Sequence, residues 1–101
     1  MLVEFSIVPV GMGSSVGDSI AKVLGIVEAS GLPYKFNPMG TVVEGEWSEV
    51  MRLLRKCHNA VMKDGERAIT TISIDDRKNR PNRIDQKVKS VERRLGKKLK
   101  K

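Results

Sequence analysis

Residues 33–45 run Pro33-Tyr34-Lys35-Phe36-Asn37-Pro38-Met39-Gly40-Thr41-Val42-Val43-Glu44-Gly45. The part from Pro33 to Pro38, with Tyr34 and Phe36 on one side, predicts a short strand. Proline cannot donate to a ladder, so this strand belongs at a sheet edge. Met39-Gly40 supplies a turn, and the β-branched run from Thr41 to Glu44 starts a second strand. An apolar run, a turn and another apolar run together predict a hairpin.

The flanks of this hairpin determine what it pairs with. Upstream, Leu2 to Val10 alternates, with Val3, Phe5 and Ile7 on one side and Glu4, Ser6 and Val8 on the other; period two marks a strand with unequal faces. Pro9 and Gly11-Met12-Gly13 end it, and Ser15-Val16-Gly17-Asp18 carries a Ser-x-x-Asp helix start. Val16, Ile20, Val23, Leu24 and Val27 then fall on one helical stripe, closed by Gly31. Downstream, a helix from about Ser48 to Lys63 aligns Val50, Leu54, Cys57 and Val61, leaving Arg52, Arg55, Lys56 and Asn59 toward water. Arg67 to Asp75 alternates again and is rich in Ile and Thr, a fourth strand. Past a polar link containing Pro81, the spacing of Ile84, Val88, Val91 and Leu95 predicts a basic C-terminal helix over about 82–96.

The order βαββαβ followed by α, within one domain spanning 1–101, is the α+β split-βαβ or ferredoxin-like sandwich. Its crossovers are right-handed where they join parallel strands. Its two packing helices cover one sheet face. The other face, with Glu4, Ser6, Thr71 and Ser73 beside Val8 and Ile69, is expected to be covered by a second copy of the chain. Aromatic residues make up only 4%, so the core is expected to consist of Val, Ile, Leu and Met, with Phe5, Tyr34, Phe36 and Trp47 as isolated large pieces. A core of that size benefits from oligomerisation.

Several function classes are disfavoured by composition. One cysteine and one histidine exclude an intramolecular disulfide and a conventional zinc site, and a reducing compartment fits this usage. The N-terminus lacks the features of a secretory signal, and no apolar run reaches membrane-spanning length, so a cytoplasmic location is expected. Cys57 and His58 are adjacent on a helix and point about 100° apart, which prevents them from meeting as nucleophile and base. Gly11-Met12-Gly13-Ser14-Ser15 offers free backbone N–H groups between a strand and a helix. It matches neither the dinucleotide fingerprint nor the P-loop, and its default reading is a tight turn. No metal or cofactor is expected.

The net charge of +7 is unevenly placed: from Arg77 to Lys101 there are 12 basic and 2 acidic residues, a balance of +10, against −3 for residues 1–76. Such a tail admits a nucleic-acid accessory role. However, the third strand of an RNA-recognition motif carries stacking aromatics, and Thr41-Val42-Val43-Glu44 has none, so a solvated helix face is the plainer reading. A small hydrolase of the same fold would need an anion-holding Arg near the first loop; Val10 to Gly17 contains none, and the enzyme reading ranks last. The carboxylates Glu4, Glu44, Asp75 and Asp76 lie on or beside strands, where each needs a partner: Arg67, Arg77 or a cationic ligand.

At the level of motifs, Ser30-Gly31-Leu32-Pro33-Tyr34, then Asn37-Pro38-Met39-Gly40-Thr41-Val42-Val43-Glu44-Gly45, then Ile74-Asp75-Asp76-Arg77, with Val3-Glu4-Phe5-Ser6-Ile7 at the start, resembles the small thiamine-binding protein family over essentially the whole chain. The resemblance implies a ferredoxin-like fold and association into dimers and tetramers, sheet against sheet. It also implies noncatalytic binding of thiamine or its hydroxymethylpyrimidine part. On that reading Asn37, Ser6, Thr41 or Ser73 would read the mixed donor and acceptor edge of an aminopyrimidine, and Glu44 would accept from its amino group. Tyr34, Phe36 or Trp47 would stack on the thiazolium cation, with Glu4 or Asp75 offsetting its charge.

Overall fold

β1 (Leu2–Pro9) is the centre of the computed structural model, which describes residues 1–11, 16–78 and 83–99. It is followed by α1 (Val16–Ala29), β2 (Tyr34–Asn37), β3 (Gly40–Glu44), α2 (Trp47–Asp64), β4 (Ala68–Asp75) and α3 (Arg83–Leu95). The four strands make one sheet in the order β2-β3-β1-β4, with every neighbouring pair antiparallel. This is the expected ferredoxin-like arrangement, with the edge position of β2 anticipated by its flanking prolines. The proposed Ser15 start of the first helix and the Pro81 link lie outside the described residues.

Residues paired across an antiparallel ladder share a face. Val3, Phe5 and Ile7 pair with or lie beside Val43, Thr41, Ile74, Ile72 and Thr70, and all point toward α1 and α2. Val3, Phe5, Ile7, Val23, Val27, Val43, Val50, Leu53, Leu54, Cys57 and Val61 form the buried cluster there. Of the Val, Ile, Leu and Met expected to build the core, Val, Ile and Leu are buried in it, with Met1 and Met51 only packed against it; Phe5 is its one aromatic, and Tyr34, Phe36 and Trp47 are all exposed. The reason is position: Tyr34 and Phe36 sit on a four-residue edge strand, and Trp47 opens a helix.

The helix ends are held by local chemistry. Gly31 follows α1 with φ of 76°, the left-handed conformation a C-terminal cap requires. At the start of α2 the Glu46 backbone N–H donates to Glu49 Oε1 at 3.1 Å. Lys22 on α1 pairs with Asp64 at the end of α2, which ties the two helices together at the surface.

The second sheet face is less open than expected. Leu2 on β1 pairs with both Glu44 on β3 and Asp75 on β4, so these three form one transverse row. The N-terminal part of α3 lies over that row: the Ile84 N–H donates to Glu44 Oε1 at 3.4 Å, and Lys87 pairs with Asp75. Glu44 is only 8% exposed as a result. Glu4, Thr71 and Ser73 remain exposed on the same face, and Ser6 is half-buried.

A notch beside the first strand as candidate functional site

β1 pairs with β4 along its whole length but with β3 only from Leu2 to Phe5. β3 begins at Gly40, just before the Phe5–Thr41 pair, so the Ser6–Val8 part of β1 continues past the end of its neighbour. The β2–β3 turn, Pro38-Met39, folds over this gap. Gly40 permits the approach, because a Cβ there would stand 3.2 Å from the Phe5 carbonyl oxygen and 3.4 Å from Glu4 Cγ.

The result is a cavity of about 130 Å³ lined by Phe5, Ser6, Ile7, Ile20, Leu24, Phe36, Asn37, Met39 and Thr41, among others. Its floor and inner wall are apolar, from Phe5, Ile7 and the α1 residues Ile20 and Leu24. Phe36, 52% exposed, and the fully outlying Met39 form its rim. Ser6, Asn37 and Thr41 bring two hydroxyls and an amide, which together offer both donors and acceptors. Enclosures for whole drug-sized ligands start at roughly 300 Å³, so this slot suits a single ring.

Nine of the ten residues expected to contact a ligand are thus sorted by the sheet, and the tenth, Trp47, opens α2 and does not line the slot. Ser6, Phe36, Asn37 and Thr41 meet at the notch. Glu4 shares the open face with Ser6 and lies against Gly40, beside the mouth. Tyr34 shares the helix side with Phe36, opposite Val43, but lies farther along β2 and does not line the cavity. Glu44, Ser73 and Asp75 lie on the open face; Glu44 and Asp75 are engaged by α3, and none of the three lines the slot. Tyr34 and Glu44 point to opposite sides of the sheet and cannot hold one small ring between them. The apolar wall, Ile20, Leu24 and Met39, had no signal in the sequence beyond the α1 stripe.

Larger concavities lie elsewhere among the described residues. A shallow basic groove runs along α3 between Arg77, Lys87, Arg94 and Lys98, and another, of about 390 Å³, lies between Ile26, Leu32, Leu53 and Lys56. Cys57 is fully buried and its thiol is pushed up to about 11 by that burial, while His58 hydrogen-bonds Thr70 Oγ1 at 2.8 Å. The two side chains serve different surroundings. Among the described residues no His, Cys, Asp or Glu cluster is placed to hold a metal ion, and no helix is long and apolar enough to cross a membrane.

Comparison with known proteins agrees with this fold. The model of a family described as thiamine-binding protein matches residues 3–92. UPF0045 protein MJ1052 of Methanocaldococcus jannaschii is 33% identical over 91 residues, 90% of this chain and 91% of that protein. Its crystal structure superposes with a TM-score of 0.82 over 89% of this chain and 93% of that one. UPF0045 protein Mb1933 of Mycobacterium bovis is 38% identical over 96 residues, 94% of each chain. A Thermotoga maritima structure, described provisionally as a thiamine biosynthesis/salvage protein, shares the fold with a TM-score of 0.79 at 22% identity, over 89% of this chain and 96% of that one.

Proposed function

Because this chain belongs to the thiamine-binding protein family, we propose that it is a noncatalytic binder of thiamine or of hydroxymethylpyrimidine, held in the notch beside β1, and that it works as a homo-oligomer. The observation that carries this reading is a one-ring apolar slot that Ser6 and Asn37 reach from the open face and Thr41 from the helix side. An aminopyrimidine presents alternating donors and acceptors on one edge of an otherwise apolar disc. The slot offers the complement: Phe36 and Met39 for the faces, an amide and two hydroxyls for the edge.

Glu4 gives the second half of the ligand a place. It lies beside the mouth on the open face, where the thiazolium of a thiamine seated pyrimidine-first would emerge. A carboxylate there favours a permanent cation. Phe36 at the rim offers its ring face to the ligand from the helix side.

The test is calorimetric titration of the full chain with thiamine and with hydroxymethylpyrimidine separately. Phe36→Ala and Asn37→Ala should each weaken both ligands by about tenfold or more, the equivalent of one good contact. Glu4→Gln should weaken thiamine by about tenfold and leave the uncharged hydroxymethylpyrimidine unchanged. If neither ligand gives heat or raises the melting temperature, the proposal fails, since a ligand held by the folded state alone must stabilise it.

A further inference from the structure

The charge count alone leaves the basic tail on a solvated helix face; the structure gathers its cations around one concavity. An open groove of about 1180 Å³ runs along α3. Three segments supply its positive charge: Lys89, Arg93 and Arg94 from the helix, Lys97 and Lys98 from the turn that follows, and Arg77 from the chain just past β4. Lys87 also lines it, and among the described residues it is the one of these cations that pairs with a carboxylate, that of Asp75. That pair ties α3 to the end of β4.

The turn after α3 is built rather than frayed. Gly96 has φ of 74°, and the Gly96 and Lys97 N–H groups both donate to the Glu92 carbonyl, at 2.8 and 3.2 Å. The Leu99 N–H then donates to Glu92 Oε2 at 2.6 Å. Lys97 and Lys98 are thereby folded back beside the helix instead of trailing from it. Glu92 is the one acidic residue lining the groove among the described residues, and its carboxylate is engaged in this turn. Arg93 and Arg94 suit the negative end of the helix dipole. That end accounts for two of the seven cations in the lining. The rest repel one another in the free chain, and a chain of anions laid in the groove relieves the repulsion.

We propose that this groove binds the sugar-phosphate backbone of double-helical nucleic acid, independent of base sequence. From Lys87 to Arg94 is about 10 Å of helix axis. Each strand of a duplex carries a phosphate about every 3.4 Å along its axis, so about three phosphates face that length, or about six if both strands are reached. Gln86 and Ser90 add neutral groups of the kind that hydrogen-bond phosphate oxygens. Among the described residues no aromatic side chain lines the groove, whereas single-strand sites stack bases on aromatics. A duplex needs no such platform. Val91 is the one aliphatic side chain in the lining and α3 has no aromatic residue, which leaves a lipid surface little apolar area to bury. The net charge of +7 draws the same polyanionic partner from a distance. None of the residues lining the groove lines the notch beside β1, so this proposal stands apart from pyrimidine binding.

The test is fluorescence anisotropy of the full chain with short labelled RNA and DNA duplexes, each in two unrelated sequences, between about 50 and 200 mM salt. The logarithm of the association constant should fall with the logarithm of salt with a slope of about −3 to −5, alike for both sequences, and comparison of RNA with DNA identifies which backbone is preferred. Arg93→Gln combined with Arg94→Gln should reduce the slope by about two and weaken binding by about tenfold or more at about 100 mM salt, with an unchanged far-ultraviolet circular dichroism spectrum. Arg52→Gln combined with Lys56→Gln removes the same charge from α2, outside the groove, and should leave the affinity within about twofold. No duplex binding at the lowest salt overturns the proposal. Equal weakening by the two double variants also overturns it, because net charge alone would then account for binding. So does binding to vesicles of phosphatidylserine and phosphatidylcholine without binding to either duplex, which would assign α3 to a membrane surface.

Discussion

Cys57 shows how a single residue is governed by its surroundings. Burial raises its pKa from 9.0 to about 11, so the folded chain holds the proton over a range where the unfolded chain releases it. The unfolded state then binds fewer protons, and stability falls as pH rises through that window. Urea midpoints should be insensitive to this thiol below pH 9.0 and decline between 9.0 and about 11, and the decline should shrink in Cys57→Ala. A thiol reagent should modify native Cys57 only at the rate of unfolding. Glu44 is the opposite case, a carboxylate that the sequence places beside a ligand and the structure places under a helix. Its oxygen accepts one of the N-terminal amide protons of α3. Glu44→Ala should therefore cost about 0.5–2 kcal/mol, read from chemical denaturation, together with loss of helical signal from α3. Local pattern identified both residues, but it did not reveal which groups would lie against them.

Among the elements, α2 supports the fold. It buries Val50, Leu53, Leu54, Cys57 and Val61 against the sheet and α1, and Leu54→Ala should destabilise by about 2–5 kcal/mol in urea titration. Leu53 joins this face although the sequence stripe was drawn through Leu54, because a helix packed in the centre of a sandwich buries more than one row. The strands were legible for the same reason in reverse: alternation in β1 and β4 assigns each side chain to a face, and the ladder confirms the assignment pair by pair. The notch was not legible. It exists because β3 is shorter than β1, and relative strand length leaves no periodic trace. Nor did the pattern of α3 reveal its docking site; Ile84 to Leu95 displays an amphipathic helix without specifying which face it will cover.

At the scale of the molecule, the sheet is closed on one side by two helices and only partly covered on the other by the start of α3. If copies associate as proposed, association should contribute to stability, and the melting temperature should rise with protein concentration. The amino-acid sequence by itself determined the element order, the βαββαβ sandwich, the largely aliphatic make-up of its core and the separation of a mildly acidic body from a basic tail. These are properties of local periodicity, turn chemistry and charge count, each decided within a few neighbouring residues. Only the tertiary structure decided that Tyr34 and Glu44 face opposite sides of the sheet, that Ser6, Phe36, Asn37 and Thr41 converge where β3 begins, and that α3 turns back over Glu44. Those facts depend on which strands become neighbours and where each stops, and packing across the whole chain sets both.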